Sequence, residues 1–268
     1  MAEITPILLL GAGRLGGAML DGWMLTGAFK PSDFIIVDPT PGPQAQHLAV
    51  AGARLNPPLA ALAQANTVLL AVKPQTWRDA AAALAPCLGE DAVIVSVAAG
   101  VRAGDISRAF GGRRTARVMP ITAVAVGKGA AGVFSADQTA RAAAHALFDP
   151  VAGVADIVDE DLMDAVTGVC GSAPAYLYAF VEALEAAGEA QGLSAEASRT
   201  LARATVAGAA ALLAASGEEP SELRRQVTSP NGTTEAALKV LLGDEGLAPL
   251  LLKAVTAATE RSKELANS

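Results

Sequence analysis

Three glycines in the stretch GAGRLGG, Gly11, Gly13 and Gly16, have the types and spacing of a phosphate cradle. In such a loop the first glycine permits a tight turn, the second lets backbone approach a pyrophosphate, and the third lets helix and strand pack closely. Arg14 and Leu15 complete the loop and open the stretch that follows. Asp38 lies about 20 residues on, at the end of the next apolar run. A carboxylate there accepts both ribose hydroxyls of a dinucleotide and repels a 2′-phosphate. No Lys or Arg occurs between Lys30 and Arg54, so a local cation for that phosphate is missing. NADH is therefore favoured over NADPH, although Thr40 and Gln44 remain as neutral phosphate donors. The alternative for Asp38 is a residue that starts the DPTPGP turn with its side chain in water.

A second stretch, VTSPNGTTEAAL, sets Ser229, Pro230, Asn231, Gly232, Thr233 and Thr234 directly before an apolar helical pattern. Asn-Gly marks a tight turn, and Thr233 or Thr234 can cap the helix that follows. Such a loop is either a plain capping loop or an anion site. Free N–H groups at a helix N-terminus suit a carboxylate or phosphate.

These candidates need elements to hold them. Residues 6–10, 33–39, 67–72, 92–100, 114–120 and 130–136 are short, apolar and bounded by turn signals, with helical patterns among them. Buried continuous strands alternating with helices predict a doubly wound parallel sheet of the Rossmann type, covered on both faces. From Asp159 the strand signals stop, and the rest reads as helix, with Ser194 and Gly217 near helix ends. The expectation is a dinucleotide-binding domain over 1–158 and an all-α domain over 159–268. In an open sheet, ligands lie beyond the carboxyl ends of the strands. That places Ala71, Val72, Lys73 and Pro74 after one strand, and Ala98, Ala99 and Gly100 after another, beside the cofactor. Lys73 either faces the cofactor ribose or is an ordinary surface lysine.

The totals narrow the function. A net charge of −7 over 268 residues provides no basic field to gather nucleic acid. Two cysteines, Cys87 and Cys170, cannot form a disulfide framework, which suits a reducing cytoplasm. Two histidines, His47 and His145, without clustered ligands predict no metal, and both read as structural. The N-terminal apolar run is too short for a signal peptide, and no segment has the length of a membrane span. Two C-terminal helices, around residues 174–190 and 201–215, are apolar over nearly their whole circumference. Such helices must be buried on all sides, so a homodimer or an assembly of dimers is expected.

Taken in order, GAGRLGG, AVKP, SVAAGV, RVMP, VTGVCGS and SPNGTT resemble the pyrroline-5-carboxylate reductase family across almost the whole chain. The resemblance implies that NADH or NADPH reduces a cyclic imine carboxylate to proline. It implies that loop 229–234 holds the substrate carboxylate, that Thr234 lies near its nitrogen, and that the C-terminal helices interlock two subunits. Five positions depart from the family pattern. Cys170 stands where serine is common, Ala173 where glycine or serine is, and Asn231 replaces a glycine. Ile121 and Ala123 interrupt the usual Met-Pro-Asn-Thr-Pro, removing an amide near the cofactor end. Asn231 suits its place, because asparagine tolerates left-handed backbone well.

Imine reduction asks mainly for position and an anion site, which fits a substrate loop without His, acid or lysine. A β-hydroxyacid dehydrogenase needs a catalytic lysine early in its second domain, and none occurs between Lys128 and Lys239. Two further readings stay open: an imine reductase for a different cyclic imine carboxylate, and a dinucleotide-sensing regulator without turnover.

Overall fold

The computed structural model describes residues 4–73 and 75–266. Its sheet contains β1 (Ile7–Leu10), β2 (Phe34–Val37), β3 (Arg54–Leu55), β4 (Thr67–Leu70), β5 (Val93–Ser96), β6 (Thr115–Pro120), β7 (Gly129–Phe134) and β8 (Ala152–Asp156), in the order 3-2-1-4-5-6-7-8. The first six strands are parallel, as expected. β7 runs antiparallel to β6, so the sheet is mixed at that side. The reason is length: residues 121–128 make a short connection, whereas a parallel crossover needs a dozen residues or more. β8 then pairs parallel to β7.

The strand ILLL shows why this sheet is sandwiched. Ile7 and Leu9 join one core with Trp23, Phe34, Val95 and Phe148. Leu8 and Leu10 join the other with Ile35, Trp77, Ile94 and Phe110. Alternate side chains face opposite sides of a strand, so a run apolar at every position is buried on both. Each such side chain contributes about 1.5–3 kcal/mol of burial. The indole of Trp23 stacks on Phe34 at 5.5 Å and donates to the Leu147 carbonyl at 2.7 Å.

Helices α1 (Arg14–Thr26), α2 (Pro43–Val50), α3 (Trp77–Leu84), α4 (Ala103–Ala109) and α5 (Gln138–Phe148) belong to this half. α5 is capped by Asp137, whose carboxylate accepts from the Ala140 N–H at 2.8 Å. After β8 the chain enters α6 (Met163–Val166) and a π-helical turn, Thr167–Gly171. Helices α7 (Ala173–Ala190), α8 (Ala195–Ser216), α9 (Pro220–Gln226), α10 (Thr233–Leu241) and α11 (Leu247–Ala266) follow. Ser194 caps α8 through the Ala197 N–H, and Gly217 ends it at φ 67°.

By compactness the chain forms two units: one runs to Gly171 and resumes at Ala258, the other is Ser172–Ala257. The first division thus falls after Gly171, whereas the sequence pattern changes character at 158. In the second unit only Ser198 and Ala202 are buried within a single chain. Leu177, Tyr178, Phe180 and Leu184 of α7, and Leu250, Leu251 and Leu252 of α11, are exposed. Among the described residues no single helix is long and apolar enough to cross a membrane.

Candidate active site

The glycine loop connects β1 to α1 at the place where the strand order reverses, between β1 and β4. Gly11 has φ 91°, and a Cβ there would press on the Ala71 carbonyl. A Cβ on Gly16 would run into the carbonyl of Gly11. Gly13 differs, because a Cβ built on it meets nothing within 4 Å. Gly11 and Gly16 are demanded by the fold, while Gly13 faces open space, as a close-approaching ligand requires. Gly13 is also the N-cap of α1 and has no side chain to occupy the helix's free N–H groups. No acidic residue stands in the first turn, and Arg14 is exposed there. An anionic pyrophosphate fits this helix end.

Asp38 follows β2 and is buried. Its Oδ2 accepts from the Ala12 N–H at 2.6 Å and its Oδ1 from the Thr40 N–H at 2.7 Å. The alternative of a side chain turned to water is therefore wrong. Two main-chain donors hold the carboxylate in, one from the glycine loop and one from the DPTPGP turn that Asp38 starts.

The neighbouring strand ends converge on the same edge. The Ala71 N–H donates to the Leu10 carbonyl at 2.8 Å, the Val97 N–H to Leu70 at 3.0 Å, and the Gly11 N–H to Val37 at 2.9 Å. These bonds extend the parallel ladder past its strands, setting Ala71 and Val72 beside the glycine loop and Ala98 past the end of β5, the strand beyond β4. Lys73 is exposed, and Pro74 lies outside the described residues. Ala98 is buried and donates to Ser96 Oγ at 3.2 Å, Ala99 is exposed, and Gly100 turns the chain at φ 73°.

A network that sequence reasoning missed secures this last loop. Glu160 Oε1 accepts from the Ala103 N–H at 2.7 Å, at the start of α4, and from Arg117 Nη1 of β6 at 2.8 Å. Arg102 bonds Asp161 at 2.7 Å, which with Glu160 raises the Arg102 pKa. Arg117 is nearly fully buried, and only its charge inside a strand with no other charged residue hinted at a partner.

Loop 229–234 is in the helical unit. Asn231 adopts φ 58°, the left-handed turn its residue type suits, and the Gly232 N–H closes back on the Ser229 carbonyl at 3.0 Å. Here one expectation is corrected. The N-cap of α10 is Gly232, and Thr233 and Thr234 are its first two helical residues, not caps. With extended Gly232 in front of them, they fall inside the first turn. Neither threonine hydroxyl bonds another group among the described residues. Glu235, also in that turn, accepts from the Asn231 N–H at 2.6 Å and pairs with Lys239 at 3.0 Å. Those bonds hold its carboxyl below the ordinary range, the Asn231 N–H being the larger cause. The loop is thus shaped from below by Glu235, while the N–H groups opening α10 receive no side-chain cap.

Of the other departures from the family pattern, Ala173 is the first residue of α7 and Ala123 lies in the 3-10 helix Thr122–Val126. Burial pushes the Cys170 thiol up, and Sγ contacts the carbonyls of Ala130 at 3.5 Å and Met119 at 3.6 Å, so it stays a neutral donor. Ile121 leads into a short 3-10 helix, Thr122–Val126, that lies against α1.

Comparison with known proteins reads this arrangement. Residues 160–265 match the family model for pyrroline-5-carboxylate reductase dimerisation, and residues 6–100 match that for NADP oxidoreductase, coenzyme F420-dependent. The chain is 38% identical to pyrroline-5-carboxylate reductase of Pseudomonas aeruginosa, covering 98% of this chain and 97% of that one. This chain belongs to the pyrroline-5-carboxylate reductase family. The structure of a family enzyme from Coxiella burnetii superposes with a TM-score of 0.89 at 30% identity, covering 98% and 99% of the two chains. A Plasmodium falciparum pyrroline carboxylate reductase solved with NADP bound gives 0.81 at 25% identity, covering 99% of each. The family's dimerisation model begins two residues after position 158, where the strand signals end.

Proposed function

We infer that this chain reduces 1-pyrroline-5-carboxylate to L-proline with NAD(P)H, the last step of proline biosynthesis. The observation that carries the reading is the uncapped N-terminus of α10 behind the left-handed turn at Asn231, in a chain with full-length likeness to reductases of that name. The N–H groups of that helix end and the loop Ser229, Pro230, Asn231, Gly232 and Thr233 bind the imine's carboxylate. The hydroxyl of Thr234 hydrogen-bonds at the ring nitrogen and orients the imine. When bound, the nicotinamide would supply the hydride that reduces the imine carbon, and the ring nitrogen gains or already carries the proton that completes the amine. Gly11, Gly13, Arg14, Leu15 and Gly16 cradle its pyrophosphate, Asp38 takes the ribose, and Ala71, Val72, Lys73, Ala98, Ala99 and Gly100 line the rest. NADH is favoured, supported by the fixed anion of Asp38 and by Arg54, the next cation, being engaged by Gln64 at 2.7 Å.

The working form is a cytoplasmic homodimer or an assembly of dimers. Exposed leucines on α7, α8 and α11 support it, since apolar helix faces of this extent are stable only when covered. Sedimentation at micromolar concentration should show no species near 26.9 kDa. A folded, active monomer there refutes it. For the reaction, oxidation of NADH and of NADPH is followed with pyrroline-5-carboxylate and with its six-membered ring homologue. Ile121 and Ala123 favour a second reading, a different cyclic imine carboxylate, and faster turnover of the larger ring would establish it.

A further inference from the structure

Asn56 stands just past β3 with its backbone at φ 46°, a conformation open to few residues other than glycine. Its side-chain amide grips one peptide unit from both sides. The Asp38 N–H donates to Asn56 Oδ1 at 3.0 Å, and Asn56 Nδ2 donates to the Asp38 carbonyl at 2.8 Å. The Asn56 N–H in turn donates to the Ile36 carbonyl at 2.8 Å, which continues the β2–β3 pairing. With the bonds from Ala12 and Thr40 to its carboxylate, every polar group of Asp38 is held.

A glycine at position 56 would serve the backbone alone. Asparagine adds one donor and one acceptor, and both are spent on the residue whose charge meets the ribose. An anion discriminates against a 2′-phosphate only if it cannot turn aside. Asp38 lies just past the last ladder pairs of β2, Leu10 with Val37 and Leu55 with Ile36, so strand pairing does not prevent that. We propose that Asn56 is a positioning residue for cofactor choice: it fixes Asp38 against the glycine loop, so the carboxylate cannot yield to the extra phosphate of NADPH. The proposal rests on Asp38 facing the ribose.

The test is calorimetric binding of NADH and NADPH to the intact protein without imine, for the wild type, N56G, D38N and the double variant. Glycine accepts the left-handed backbone and the site is exposed, so N56G keeps the fold, which thermal melting checks. The ratio of NADPH to NADH dissociation constants should fall about fivefold in N56G, the effect of one net hydrogen bond. D38N should lower it as well, and adding N56G to D38N should change it no further. A ratio that D38N leaves unmoved removes the ribose reading of Asp38 and the proposal with it. A ratio moved by D38N and unmoved by N56G leaves that reading standing and overturns only the role of Asn56. An N56G effect of equal size in both backgrounds overturns it too, because Asn56 would then act apart from the carboxylate.

Discussion

Replacing Thr234 with alanine removes a hydroxyl and a methyl from a side chain outside the buried core. That hydroxyl has no partner among the described residues, and Thr234 is neither the cap of α10 nor a buried core residue. The melting temperature should therefore change by no more than about 1–2 °C, the range of a surface substitution. Catalysis should respond differently. A hydrogen bond to the ring nitrogen that is made or strengthened as hydride arrives contributes about 1–3 kcal/mol. At 1.4 kcal/mol per tenfold, kcat should fall by about 5- to 150-fold. In the proposed reading the carboxylate is bound by the N–H groups of α10, which alanine keeps, so KM for the imine should rise far less than kcat falls. KM for the cofactor should not move. Thr234→Ser restores the hydroxyl and should recover most of the rate, whereas Thr233→Ala should act mainly on imine KM. Initial-rate kinetics at saturating cofactor decide the matter. Wild-type kcat in T234A, or a loss that serine does not recover, refutes the role given to this residue.

Gly13→Ala should fold normally, because its Cβ meets open space, yet weaken NAD(P)H binding by tenfold or more; Gly16→Ala should lower the melting temperature through its collision with Gly11. Glu160→Ala strands the buried charge of Arg117 and should cost about 3–5 kcal/mol in denaturant unfolding, with Glu160→Gln losing clearly less. His145 is bonded to Asp149 at 2.9 Å and to Asp156 at 3.2 Å. Burial lowers its pKa, but those carboxylates outweigh the effect and raise it above its ordinary 6.5. The stability it contributes is full below 6.5 and is lost as pH rises through the higher folded value. His145→Gln should thus reduce the melting temperature more at pH 5.5 than at pH 8.5, and an equal drop at both would argue against the pair.

The strands that sequence revealed most clearly are those buried on both faces, where ILLL and FIIV are wholly apolar and TVLL and VIVS each carry a single small polar residue, at one end. The two it missed, RL and AGVAD, are the margins of the sheet. Marginal strands are short, partly wet and often poor in β-branched residues, so they carry little signal. The glycine loop was legible because its spacing encodes steric demands, and the structure shows two of them as near collisions. Loop 229–234 was legible as a turn at a helix start. Which residue capped that helix was not, since Gly, Thr and Thr are all acceptable there and only backbone angles separate them. The Glu160 network was invisible for another reason: Arg117 and Glu160 are 43 positions apart, and nothing local in either stretch marks its partner.

The close approach of α1 to the segment after β6 carries an evolutionary consequence. Gly22 lies against the Val124 carbonyl so tightly that no side chain fits between them. The course of Thr122–Val126 is thereby set by main chain resting on main chain, and Gly127 closes it at φ 65°. A segment guided in this way does not depend on the identity of its own outward side chains. Ile121 and Ala123, the two departures from the family pattern, lie at its entrance and within it. Descent can rewrite such positions without renegotiating the path of the chain.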